Sequence, residues 1–147
     1  MADDVYEKEV RIDALPETVF EFFTDPVKMI RWKGTDASLD PRPGGTYRVN
    51  VTGRETAIGK YVEIVPYSRI VFTWGWESGP ITPGSTTVEV TLTPDGDGTI
   101  LKLRHLGLMG EAVQSHAMGW DHFLPRLVIV AAGGDAGVDP WTQAPPT

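Results

Sequence analysis

The chain has 147 residues, no cysteine, 13 basic against 20 acidic side chains and a formal net charge of -7. That length suits one domain with a core of its own, and the lack of cysteine excludes disulfides, thiolate metal sites and cysteine nucleophiles. The acidic balance, without any basic block, argues against a nucleic-acid partner, because phosphate binding draws on Lys and Arg to displace counterions. No apolar run approaches the roughly 18 residues of a membrane span. Met1 to Lys8 is acidic and polar, unlike a secretion signal, so a cytoplasmic protein without membrane insertion is expected.

Val5 to Ile12 alternates as a strand does. Asp13-Ala14-Leu15-Pro16-Glu17 then opens a helix, with Pro16 in the first turn, where its missing N–H costs nothing. Val19, Phe20, Phe22 and Phe23 form its apolar side. Thr24-Asp25-Pro26 ends it and starts a second short helix, roughly Val27 to Trp32. Strands follow at Thr46–Val51, Ile58–Val65, Arg69–Trp76 and Thr86–Thr93, and another carries Leu101, Leu103 and His105 on one face. Asp95-Gly96-Asp97-Gly98 is a hairpin signal. Strand after strand joined by short turns reads as an antiparallel meander.

Glu111 to Ala132 is the longest helical pattern. Val113, Ala117, Trp120, Leu124, Leu127 and Ala131 share one stripe, with Glu111, Gln114, Ser115, His122 and Arg126 on the far side. Pro125 removes one backbone bond and is expected to bend the axis. Residues 1–132 are expected to form the domain. Residues 133–147, rich in Gly and Pro, read as a flexible tail with little to pack beyond Trp141. The Glu77–Ser85 connection is too long for a tight hairpin and is expected to form a mobile lip.

The fold class expected is α+β: a curved antiparallel sheet of about six to seven strands wrapped around a long C-terminal helix, with two short helices after the first strand. One helix cannot fill the whole concavity of such a sheet, so a cavity is a physical expectation.

Several stretches in this order resemble the SRPBCC (START-like, helix-grip) superfamily, and more closely its activator of Hsp90 ATPase homologue-like branch. They are Leu15-Pro16-Glu17-Thr18-Val19-Phe20, Phe23-Thr24-Asp25-Pro26, Arg31-Trp32, Pro43-Gly44-Gly45, Gly59-Lys60-Tyr61-Val62-Glu63-Ile64, Arg69-Ile70-Val71-Phe72-Thr73-Trp74, Leu103-Arg104-His105 with Gly107-Leu108, and His116-Ala117-Met118-Gly119-Trp120. The resemblance covers roughly residues 5–132. It implies a helix-grip fold, places Trp32 and Trp120 beside the cavity, and points to a branch of mostly stand-alone bacterial proteins without an assigned function. It does not transfer Hsp90 activation. Two residues depart from the branch: Lys33 stands where many members carry a second aromatic, and Pro125 interrupts the final helix.

Ile70, Phe72, Trp74 and Trp76 share one strand face. Trp74 and Trp76 read equally as core or as a wall for a planar ligand, and Phe72 reads as core. His105 should point inward, first as a neutral hydrogen-bonded residue, then as a ligand's partner or an acid–base group. His116 and Asp121 fall on opposite margins of the final helix's stripe, about 140° apart, too far for a pair. His122 is expected to face solvent. Candidate ligand-binding residues are Trp32, Tyr47, Val49, Phe72, Trp74, Trp76, Val90, Leu103, His105, Ala117, Trp120, Asp121 and Leu124. No catalytic residue, metal site or cofactor is nominated. The partner expected is a small hydrophobic or amphipathic molecule. The rival readings are a cyclase-like or hydrolytic enzyme acting on an aromatic or polyketide substrate, and a co-chaperone-like interaction protein. Monomer and homodimer remain open.

Overall fold

The computed structural model describes residues 5–79 and 81–142. Seven antiparallel strands form a curved open sheet: β1 (Val5–Ile12), β2 (Asp36–Leu39), β3 (Thr46–Asn50), β4 (Thr56–Val65), β5 (Arg69–Trp76), β6 (Thr86–Asp95) and β7 (Gly98–Leu106). The order across the sheet is β1-β7-β6-β5-β4-β3-β2. Consecutive strands therefore lie side by side, except that β1 crosses to pair with β7. This is the expected α+β helix-grip architecture. The short β2, half-buried and only four residues long, is an addition to the strands read from sequence.

Local sequence explains the turns that set the register. Asp95 pairs with Gly98, which leaves Gly96-Asp97 as a two-residue loop, and Gly96 takes φ +60° at its first position. In β4, a Cβ on Gly59 would meet the carbonyl oxygen of Thr73 at 1.8 Å, so only glycine lets β4 and β5 run this close. The register shifts between Tyr61 and Glu63, a bulge that adds to the curvature.

Two short helices follow β1. In α1 (Pro16–Thr24), Pro16, Val19, Phe22 and Phe23 are buried. α2 is a single turn, Pro26–Met29, shorter than expected, and the Asp25 carboxylate caps it by accepting from the N–H of Val27 at 2.9 Å. Helix-like bonds continue past it: the N–H groups of Trp32 and Lys33 both donate to Met29 O. Gly34 then takes φ +93°, where a Cβ would stand 2.6 Å from Asn50 O. This tight turn presses Trp32 and Lys33 against the end of β3.

The long helix α3 (Glu111–Ala131) continues through Pro125. Its buried face carries His116, Trp120, Phe123, Leu124, Leu127, Val130 and Ala131. The stripe is thus rotated from the one expected: His116 and Phe123 are buried, while Val113 and Ala117 are only half-buried.

The described part of the expected tail, residues 133–142, packs onto the domain. Arg126 donates to the carbonyls of Trp32, Ala136 and Gly137, tying the turn after α2 to the segment after α3. His122 bonds Asp139 at 2.7 Å, and the Trp141 ring stacks on His122 with centroids 3.8 Å apart and planes 4° apart. His122 is therefore half-buried under an indole, where helix periodicity alone placed it in solvent. Composition had marked the segment as unstructured because its single aromatic gives no periodic signal. Removing residues 135–147 should lower stability by about 1–3 kcal/mol, the scale of losing one half-buried indole and its neighbours. A thermal melt should show a lower Tm, and an unchanged Tm would contradict the docking.

Candidate binding cavity

Along β5 the inward face changes character. Ile70 and Phe72 are sealed, and Tyr47 stacks on Phe72 with ring centroids 4.1 Å apart. Beyond them Trp74 and Trp76 turn towards a cavity of about 270 Å³ between the sheet and α3. Helix α3 contributes Ser115, His116, Gly119, Trp120 and Phe123. Val51, Thr52 and Glu55 come from the loop between β3 and β4, Lys33 from the turn after α2, and Trp141 from the docked segment. Exposure grades across the wall. Lys33, Trp74, Trp120 and Phe123 are each at most 3% exposed, whereas Glu55 and Ser115 are exposed and Trp76 and Trp141 half-buried. The cavity thus has a deep aromatic end and an open end.

Two imidazoles hold the indoles in place. The Trp120 indole N–H donates to His105 Nδ1 at 3.0 Å. An indole nitrogen only donates, so His105 Nδ1 is unprotonated and Nε2 carries the hydrogen. That hydrogen is donated to Thr86 Oγ1, 2.9 Å away, whose hydroxyl donates to Trp74 O. The same logic fixes His116: Trp76 Nε1–H donates to its Nε2 at 3.0 Å, so Nδ1–H donates to Ala112 O at 2.9 Å. Burial pulls His105 down to about 2, and the nearby His116 and Lys33 push the same way. Burial also lowers His116, partly offset by the Ala112 carbonyl. Both rings are neutral acceptors with no nitrogen to spare.

Lys33 is the residue that sequence reasoning missed. It is 2% exposed, and its Nζ lies 4.1 Å from the ring centroids of both Trp74 and Trp120. The rings of Trp32 and Phe123 stand about 6 Å away. Among the described residues Nζ has no hydrogen-bond acceptor, and the indole N–H of Trp74 has none either. Burial holds the amine well below the usual lysine range. A long cationic side chain is normally solvated, so nothing in the pattern of residues pointed inward. The available signal was its place, where many members of the family it resembles carry an aromatic.

The other nominated residues divide into groups. Trp74, Trp76 and Trp120 meet at the cavity, and His105 stands behind them. Tyr47, Val49, Phe72, Val90, Leu103 and Leu124 are buried in the core and do not reach the wall. Trp32 packs edge-on against Phe23, donates its N–H to Phe22 O, and lines a second cleft near Arg126. Ala117 is half-buried off the wall. Asp121 is exposed, accepts from Tyr6 OH at 2.6 Å and pairs with Lys8, so it faces the β1 edge and not the cavity. The Glu77–Ser85 segment adds nothing to the wall among the described residues; the open end is formed by residues 51–55 and Trp141. No group of three or more metal-ligating side chains forms among the described residues, and no described helix is long and apolar enough to cross a membrane.

The model of the activator of Hsp90 ATPase homolog 1-like family matches residues 13–132. The chain belongs to this family. Among solved structures, an activator of Hsp90 ATPase homolog 1-like protein of Rhizobium etli is 43% identical, with TM-score 0.75, covering 97% of this chain and 91% of its own. DynU16, a putative protein in the dynemicin biosynthetic locus, is 26% identical with TM-score 0.78; 90% of this chain matches, spanning 49% of DynU16. An HSP90 activator of Plasmodium falciparum is 24% identical with TM-score 0.71, covering 86% and 94%, and shares the fold. No functionally curated protein matches the sequence.

The imidazole assignment has a consequence for acid stability. His105 binds a proton in the unfolded chain below about pH 6.5, but in the folded chain only near pH 2. Between those values the unfolded state holds the extra proton, so stability falls as pH falls, by about 1.4 kcal/mol per unit. Denaturant melts between pH 6 and pH 4 should show that slope reduced in His105→Gln; equal slopes would contradict a neutral, buried His105.

Proposed function

We propose that this family member binds a small apolar or amphipathic molecule in the cavity between β5 and α3. The observation that carries the reading is the wall: four indoles, Trp74, Trp76, Trp120 and Trp141, around about 270 Å³, closed at one end and open at the other. That volume lies near the lower end of small-molecule sites, roughly 300–1,000 Å³, and suits a body of one or two fused rings. The imidazoles support binding over chemistry. A general base needs a free nitrogen within reach of a substrate proton, and both rings use theirs on indoles, a threonine hydroxyl and a backbone carbonyl. The two imidazoles therefore supply no acid–base pair for a cyclase-like or hydrolytic activity, and the likeness to an HSP90 activator at 24% identity is one of fold.

An environment-sensitive apolar dye should bind the native protein at about one site and quench or shift indole emission. Trp76, half-buried at the open end, is the residue to vary. Trp76→Ala should weaken the dye by roughly tenfold, the scale of one aromatic contact. Folded protein that binds no apolar probe, or binding untouched by Trp76→Ala, would contradict the proposal.

A further inference from the structure

The deep end of the cavity holds two buried donors and no acceptor to match them: Lys33 Nζ and the indole N–H of Trp74. They belong to one cluster, since Nζ sits 4.1 Å above the ring that bears the N–H. Buried donors are nearly always paired, because an unpaired one forfeits its hydrogen bond to water and gains nothing. The imidazoles cannot serve, as each nitrogen is already engaged. The two indole faces flanking Nζ favour a cation there, while burial opposes one. One added group resolves both conflicts: an anion with two acceptor oxygens.

We infer that the ligand is an amphipathic acid, its aromatic or apolar body against the indoles and its carboxylate accepting from Lys33 Nζ and Trp74 Nε1. The inference rests on the cavity-binding reading and adds to it a head group and two recognition residues. A carboxylate beside Nζ supplies the counter-charge that burial alone denies the amine. The titratable groups facing it are few. His105 on β7 and His116 on α3 are neutral and remain so. Glu55, at the open end, is exposed to solvent. Asp139 and Arg126 line the second cleft, which Lys33 also touches; Arg126 is engaged with backbone carbonyls and Asp139 Oδ1 with His122 and the N–H of Trp141, while Asp139 Oδ2 is buried without a partner among the described residues and makes no hydrogen bond to Lys33.

The test compares 2-naphthoic acid with 2-naphthamide, near-isosteres that differ in charge, by titration calorimetry at pH 7. The wild type should bind the acid at least about tenfold more tightly, the scale of one charge-assisted hydrogen bond. Lys33→Met should abolish that preference while keeping the amide's affinity, and Trp74→Phe, which keeps a ring but removes the donor, should weaken the acid alone. Equal binding of acid and amide by the wild type, or a preference that survives Lys33→Met, would overturn the inference and leave the cavity reading standing. Should neither naphthyl compound bind while the apolar dye does, the inference again falls alone. Should the dye fail as well, both fall together. If Lys33→Met does not fold, Trp74→Phe and the wild-type comparison decide the matter.

Discussion

An amine held between two indole faces, with no hydrogen-bond acceptor among the described residues, is the constraint around which this interior is arranged. Lys33 arrives there because Pro26–Met29 is one turn long and its bonds run on to Lys33, after which Gly34 folds the chain against Asn50. Of the two indoles, that of Trp120 cannot close over the amine and fill the space, because its ring is held elsewhere. The backbone of Trp74 is bonded to Thr86, and Trp120 is bonded through its N–H to His105. The cavity survives because its walls are pinned from behind.

That pinning uses an uncommon economy of groups. One imidazole, His105, accepts from an indole on α3 and donates to a hydroxyl on β6, so three elements share a single buried ring. His116 repeats the arrangement between α3 and β5. In a buried network every member must be satisfied, since a half-satisfied one is worse than an apolar core. Here the histidine–indole links are satisfied, and the two unpartnered donors, Lys33 Nζ and Trp74 Nε1, stand together on residues that line the cavity. A lysine in such a place costs stability, and residues of that kind cluster where binding or chemistry is done.

Much of the frame was legible before the structure. Alternation with period two marked β1 and β3 to β7, and the Asp95–Gly98 hairpin and the Pro16 start of α1 followed from backbone chemistry. Ile70, Phe72, Trp74 and Trp76 do share one face. Their division into core and wall was not readable, because it depends on Tyr47 stacking over Phe72 from another strand. Asp121 illustrates the opposite failure. Helix geometry put it on the margin of the stripe, and only the neighbouring Tyr6 and Lys8 on β1 show which way the margin faces. Trp141 and His122 lie far apart in character, one in a Gly- and Pro-rich segment and one on a helix's polar side, yet they stack, a contact that periodicity cannot express. Lys33 was hidden for the plainest reason: charge predicts solvent, and a buried charge becomes visible only with its surroundings.

Belonging to the activator of Hsp90 ATPase homolog 1-like family supplies the grip of sheet on helix, and the residues inside it carry the individual character. The account depends on Lys33 being an amine out of water and unpaired in the free protein. Its most direct test is the pH titration of the Lys33 side-chain Cε–Hε resonance by NMR, assigned by its absence from Lys33→Met. The account predicts a midpoint well below that of an ordinary lysine, about 10.4. A midpoint at that ordinary value would mean a solvated or already paired amine, and would contradict the account at its centre.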